Sequence, residues 1–224
     1  MNLLDLVELL ELDNLDIITY TSPLKVVATG KILGFTNETR IIDLGCGRGE
    51  ALTLWGKYFG ISGLGIDQEA GFCDRARQRF AENGLSNRLD VICADASTYP
   101  LEPGAYDVAS CLNASDMLGG FRPALRHLKP AIKEGGALVI AEPYFKTHDV
   151  PDELREWEGD HHTEREILDI INEEGLELLF IKRASDDECD NYRAHFRGAL
   201  QEAAATYMCS QYYGSAIFAM KAEG

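Results

Sequence analysis

The chain has 224 residues, 46% of them hydrophobic and 26% charged, with 37 acidic against 21 basic side chains and a formal net charge of −16. Its length and composition suit one globular domain with one substantial core, so residues 1–224 read as a single domain. The negative mean field argues against a dedicated nucleic-acid partner, and no run approaches the ~20 apolar residues of a membrane span.

In chain order, MNLLDLVELLELDN has neither the basic start nor the small-residue cleavage site of a secretion signal, so cytoplasmic residence is expected. Leu3, Val7 and Leu10 give the first dozen residues an amphipathic helical face, suited to a lid or to a dimer contact. Ser22 followed by Pro23 marks a second helix start, leading into LKVVATGKIL. Apolar runs at 40–44, 63–66, 89–93, 106–112, 137–141, 176–182 and 215–221 read as strands. The first five are each followed by a helix-compatible segment, the pattern of successive βα units in a parallel sheet. Thr163 with Glu166 forms a capping-box pattern before ILDIINEEG, where Gly175 is the stop, and Ser185 opens a long helical stretch. FRPALRHLK gathers Arg122, Arg126, His127 and Lys129, either a local basic patch or a solvated helix face. Cysteines 46, 73, 93, 111, 189 and 209 show no metal-ligand spacing, so no metal site is expected and the thiols read as reduced and mostly buried.

The densest signal is IIDLGCGRGE, residues 41–50, a strand–glycine turn–helix unit that sets backbone N–H groups at the carboxyl end of the first strand. Open α/β sheets bind their ligands at that position. Two adenosine-containing ligands compete. A dinucleotide fingerprint needs G-x-G-x-x-G, but Gly45, Gly47 and Gly49 are followed by Glu50, whose carboxylate opposes a pyrophosphate, with Arg48 offsetting part of this. Asp43 adds a second negative group, so a cationic ligand such as S-adenosylmethionine fits better. Asp67 ends the second strand, where a carboxylate accepts hydrogen bonds from ribose hydroxyls in either case. Asp95 ends the third, within reach of an adenine amino group.

Taken together, IIDLGCGRGE, GLGIDQE, ICADAS, YDVASCLNAS and LKPAIKEGGALVIAEPYF resemble the successive motifs of class I S-adenosylmethionine-dependent methyltransferases. The resemblance spans roughly residues 20 to 145 and implies an α/β Rossmann-like three-layer sandwich. Its sheet would have seven mostly parallel strands in the order 3-2-1-4-5-7-6, the seventh antiparallel. Residues 1–35 would form a helical cap over the cofactor cleft. It implies that Gly45 and Gly47 lie against the methionine part of S-adenosylmethionine, with Asp43 anchoring the amino group. Asp67 would hold the ribose, Gln68 would flank the adenosine, Asp95 and Ala96 would contact adenine, and Asn113 would close the cofactor side. S-adenosylhomocysteine would be the product.

The acceptor leaves a fainter trace. After the fourth strand the chain reads Asn113-Ala114-Ser115-Asp116, without the Asn-Pro-Pro-Tyr of amino-DNA methyltransferases, so a small-molecule acceptor is expected. EPYF and TSPL resemble a small-molecule subgroup of bacteria and archaea. Glu142, His161 and His162 are candidates for a general base, a role needed only if the acceptor must lose a proton. Tyr20, Glu142, Tyr144 and Tyr192 are candidates for the acceptor pocket, each also explained by packing. A thiol- or metalloid-directed enzyme would need Cys111 or another cysteine to face the methyl group. A non-catalytic cofactor-binding protein would have a filled cleft around Glu142 and Tyr144, and an NAD-dependent oxidoreductase is the remaining rival. A monomer and a homodimer fit the sequence equally.

Overall fold

A computed structural model describes residues 20, 22–189 and 211–222. Seven segments pair into one sheet: β1 (Arg40–Leu44), β2 (Ser62–Asp67), β3 (Leu89–Cys93), β4 (Tyr106–Leu112), β5 (Ile132–Phe145), β6 (Leu176–Arg183) and β7 (Tyr213–Ala222). Their order is β3-β2-β1-β4-β5-β7-β6. The first five run parallel, and β7 is antiparallel to both β5 and β6. This is the fold and strand order that the motifs imply.

Helices cover both faces, and the alternation of side chains along each strand decides which residues meet which helix. On one face Ile41, Val91, Val139, Ala141 and Ile217 pack under α1 (Pro23–Ile32), α2 (Glu50–Phe59) and α3 (Ala70–Glu82), with Val26, Val27, Leu52, Trp55 and Phe80 as the helix contribution. On the other, Ile42, Leu44, Leu138, Ile140 and Phe218 meet α4 (Phe121–Leu128) and α6 (Glu164–Glu173) through Phe121, Leu125, Ile167 and Ile170. Burial on both faces is why the central strands read as unbroken apolar runs. A short helix, α5 (Asp152–Glu158), precedes α6.

Local chemistry sets the helix ends. Pro23 stands in the first turn of α1, with Ser22 as its N-cap residue but without a side-chain capping bond. The Thr163–Glu166 capping box of α6 forms in both directions. A second box follows at Ser185: its hydroxyl accepts from the Glu188 N–H at 3.2 Å while its own N–H donates to Glu188 Oε2 at 2.6 Å. Glu188 also receives the Ser22 N–H and the Lys25 ammonium, which ties the start of α1 to this turn. The first-dozen helix and the helical stretch beyond residue 189 lie outside the described residues.

One strand departs from its expected bounds. β5 runs for 14 residues instead of five, extending past Gly135 and Gly136 on one side and through Pro143 on the other. Proline is disfavoured inside a sheet because it lacks an N–H. Here β4 ends its ladder at Ala141, so at Glu142 and Pro143 β5 is paired only with β7 and the side that Pro143 would leave unbonded is an edge. Phe145 closes that edge two residues later, donating its N–H to the His162 carbonyl at 2.9 Å. The basic stretch on α4 is spent on neighbours: Arg122 bonds Glu173 and Glu174, Arg126 bonds Glu174, and Lys129 donates to the Glu174 carbonyl.

Candidate active site

Two cavities open side by side along the carboxyl ends of β1, β4 and β5. The first, of about 160 Å³, is lined by the glycine loop together with Asp43, Glu50, Asp67, Phe72, Asn113 and Met117. Gly45 adopts φ 67°, and a Cβ there would stand 2.4 Å from the Ala114 Cβ, so only glycine lets the loop approach the segment after β4 so closely. Gly49, at φ 73°, presses against the Phe80 ring, so the third glycine serves the packing of α2 on α3.

Asp67 ties two loops together. Its Oδ2 accepts the Gly47 N–H at 2.8 Å and its Oδ1 the Glu69 N–H at 2.9 Å, and each oxygen keeps a further lone pair. Asp43 is buried at the floor of the cavity and accepts from the Ser110 hydroxyl at 2.7 Å. Burial raises its pKa to about 7; the Ser110 bond opposes this, while Asp67 and Glu50 add to it. A cation beside it would recover the ionised form.

Glu50 requires a correction. It lies within the first cavity as its position implied, but Arg79 of α3 stands 3.1 Å away with both side chains buried. Arg79 meets its charge, so the case against a pyrophosphate rests on Asp43 more than on Glu50. The sequence could not show this pair, because the partners lie on different helices, 29 positions apart.

Three residues assigned to the adenosine do not line the cavity. Gln68 is exposed, Ala96 is buried in the core, and Asp95 is exposed and closes its own turn. The Ser97 hydroxyl and N–H both donate to Asp95 Oδ1, and these bonds hold its pKa below the usual carboxylate value.

Asn113 lines both cavities. It has φ 60°, the one left-handed non-glycine residue among those described, a conformation that asparagine tolerates better than most side chains. The second cavity, of about 420 Å³, is lined by Tyr20, Asn113, Ser115, Asp116, Phe121, Glu142, Pro143, residues 159–162 and Tyr213. At its base Glu142, 7% exposed, accepts from the Ser115 hydroxyl at 2.5 Å. Burial raises the Glu142 pKa to about 7, the Ser115 bond opposing and Asp116 adding to the rise. His161 is half-buried, stacked edge-on between Phe145 and Tyr213 with centroids 5.5 and 5.4 Å away, and its Nε2 lies 3.5 Å from the Tyr213 hydroxyl. Tyr20 stacks on Tyr213 at 5.9 Å. His162 is exposed and joins the wall through its backbone.

Tyr144 requires the second correction, because it does not reach this cavity. Its ring lies across Gly214, where a Cβ would stand 2.8 Å from the Tyr144 Cζ. Burial raises the hydroxyl's pKa to about 12, with Glu164 and Arg183 as its charged neighbours. Glu142 and Tyr144 share a strand face, but by Tyr144 that face has passed beneath α6. Cys111 is fully buried in the core and lines neither cavity, which removes the thiol route through that residue. Tyr192 lies outside the described residues. Among the described residues no cluster of three or more His, Cys, Asp or Glu could hold a metal ion, and no helix is long and apolar enough to cross a membrane. Ser110, Ser115 and Tyr213 were not singled out from sequence. The first two lie within YDVASCLNAS, but nothing in their spacing says which carboxylate each would meet.

Comparison with known proteins fits this geometry. Residues 41–136 match a family model described as a methyltransferase domain. The chain is 33% identical over 175 residues to the uncharacterized protein YjhP of Escherichia coli, covering 76% of this chain and 70% of that one. The X-ray structure of YjhP superposes with a TM-score of 0.82 at 27% identity, covering 93% and 96% of the two chains. A methyltransferase from Thiobacillus denitrificans, solved with S-adenosyl-L-homocysteine, gives 0.83 at 25% identity over 92% and 94%. The sterol 4-C-methyltransferase strm-1 of Caenorhabditis elegans is 24% identical over 133 residues, and the match spans only 39% of its length. The chain belongs to the class I S-adenosylmethionine-dependent methyltransferases. Within that class its likeness is to the small-molecule type.

Proposed function

We propose that the protein transfers the methyl group of S-adenosylmethionine to a small-molecule acceptor, with the cofactor in the first cavity and the acceptor in the second. The observation that carries this is the meeting of the two cavities at Asn113, one built on a glycine loop with buried Asp43 and the other on buried Glu142. The donor set fits the cofactor: Asp43 suits a cationic group, the turns at Gly45 and Gly47 offer close backbone, and Asp67 keeps lone pairs for hydroxyls. When bound, the cofactor supplies a methyl group on a positively charged sulfur, a reactive donor that needs no covalent help from the protein.

The chain's own contribution is to position, to exclude water and to receive a proton. Asp43 holds the cationic end of the ligand, and Asp67 holds its hydroxyls while fixing the loop through the Gly47 N–H. Asn113, which lines both cavities, stands between the two ligands, so the acceptor approaches from one side. Glu142 receives a proton where the acceptor must lose one, and Ser115 fixes the orientation of its Oε2. His161, held by Tyr213, lies at the cavity mouth as a second proton carrier. We propose further that residues 1–35 close the cofactor side, since Pro23 and Val26 of α1 already line it, and that the enzyme works in the cytoplasm as one domain.

An open second cavity beside Glu142 supports catalysis over cofactor binding alone, which calls for no acceptor space. Its volume of about 420 Å³ falls in the ~300–1,000 Å³ range of small-molecule sites. Calorimetric titration of S-adenosylmethionine, S-adenosylhomocysteine and NAD into the wild type and Asp67→Ala tests the cofactor. Binding of the first two, strongly weakened in the variant, is expected. Tight NAD binding without response to the others would replace this reading with a dehydrogenase.

A further inference from the structure

The acceptor cavity has a charge pattern that its size alone does not dictate. Its lining holds the carboxylates of Glu142, Asp116 and Asp160 and no lysine or arginine. Asp160 stands at the rim and is paired with Arg155 at 2.6 Å, so its charge is spent. Asp116 is exposed and meets no cation among the described residues, and Glu142 has the Ser115 hydroxyl as its hydrogen-bond donor there. That bond falls on Oε2, which leaves Oε1 of a side chain more than nine-tenths buried facing the cavity. Aromatic rings supply the remaining walls: Tyr20, Phe121 and Tyr213, with the Tyr20 and Tyr213 rings tilted by 55° to each other.

A buried carboxylate without a cation is costly to keep ionised, and it becomes favourable when a cation is brought to it. Aromatic faces attract the same kind of ligand through their quadrupoles. An anionic acceptor would instead meet two unneutralised carboxylates in a partly desolvated space, where like charges cost most. Resting on the reading of this cavity as the acceptor site, we infer that the acceptor is an amine, bound as an ammonium between the Glu142 carboxylate and the Tyr20–Tyr213 rings.

The chemistry then balances within the cavity. Glu142 Oε1 takes one N–H proton, so the ammonium and carboxylate become an amine and a carboxylic acid; the lone pair freed on nitrogen would form the N–C bond as the sulfur–methyl bond of the cofactor breaks, that electron pair staying on sulfur, and the product would leave as a methylated ammonium. The Glu142 pKa of about 7 allows it to accept that proton and release it to solvent near neutrality. His161 and His162 line the same space.

The test uses the full chain saturated with S-adenosylhomocysteine and three probes of one shape: 2-phenylethylammonium, 2-phenylethanol and phenylacetate, each titrated calorimetrically. The ammonium is expected to bind at least about tenfold more tightly than phenylacetate, with the alcohol between them. Glu142→Gln and the surface variant Asp116→Asn should each narrow that preference, and the second cannot act by unfolding the core. Ammonium binding no tighter than phenylacetate overturns the amine assignment, as does a preference unchanged in both variants. A Tyr213→Trp variant separates the two readings. If phenylacetate wins and Tyr213→Trp blocks it, the cavity is still the acceptor site but for an anion. If the filled cavity binds all three as before, the acceptor-site reading itself fails.

Discussion

The two cavities are built on one plan and differ in what they draw on. Each has a buried carboxylate on a strand neighbouring β4, and each carboxylate takes a serine hydroxyl from β4 or the turn that follows it: Ser110 of β4 for Asp43 on β1, and Ser115 just beyond β4 for Glu142 on β5. Both carboxyls have pKa values raised to about 7, chiefly by burial. Side-chain alternation sends them to opposite faces, Asp43 to the side of Ile41 and Glu142 to the side of Leu138 and Ile140. The first cavity is built around the glycine loop and the ends of β1, β2 and β4, whereas the second is assembled from side chains as far apart as Tyr20 and Tyr213. The first can be kept by a short motif. The second can be respecified one side chain at a time.

The sharpest way to break this division is at the carboxylate peculiar to each cavity. Glu142→Gln should lower turnover by about 10²–10⁴-fold, the usual worth of a positioned proton acceptor, while cofactor affinity stays within about twofold. A parallel loss of cofactor affinity would show that the cavities act as one. Asp67→Ala should do the reverse, weakening S-adenosylhomocysteine by about tenfold or more, because two hydrogen bonds from the loops and those to the ligand are lost together.

The pH dependence sharpens the comparison further. The raised Asp43 and Glu142 values mean that the folded chain retains protons that the unfolded chain has already released. Their contribution to stability is therefore full below about pH 4 and declines as pH rises to about 7. Binding of a cationic ligand at Asp43 should strengthen over the upper part of that window. Asp43→Asn should flatten the binding profile and raise the melting temperature at pH 8, which calorimetry and thermal unfolding both read. Ser115→Ala removes a bond that favours ionised Glu142, so the acidic limb of the pH–rate profile should move upward, by less than one pH unit if the bond is worth about 1 kcal/mol. The smallest effect belongs to Tyr144→Phe, which should leave turnover and acceptor affinity unchanged, because its hydroxyl is directed at Glu164 and Arg183.

The sequence showed different parts of the molecule to different depths. Strand positions and the cofactor loop were legible because they depend on local pattern, IIDLGCGRGE being itself a strand, a turn and a helix start, whereas the strand order came only through the family resemblance. The adenosine end was less legible, since Asp95 also satisfies a turn with Ser97, and spacing cannot tell a ligand contact from a capping bond. Glu50 misled for a different reason, its charge being met by Arg79 through the packing of α3 on α2. Tyr144 was grouped with Glu142 because EPYF reads as lying beyond the end of the fifth strand, but β5 continues through Phe145 and carries the Tyr144 ring across Gly214. Tyr213 joins the site through the antiparallel pairing Phe145↔Tyr213, a long-range register that no local motif encodes.

The overrun of β5 beyond β4 has a consequence for how this scaffold diversifies. Because the ladder between them ends at Ala141, residues 142–145 form a terrace that is anchored by β7, tied at its far end by the Phe145 bond to His162 and faced by the 159–162 segment. On the function proposed above, substitutions on that terrace would alter acceptor recognition without disturbing a hydrogen bond between the five parallel strands. Pro143 fits the same position: its missing N–H discourages a further strand from adding there and filling the space that the acceptor needs. A new specificity can arise on this ledge while the cofactor machinery beside it is inherited intact.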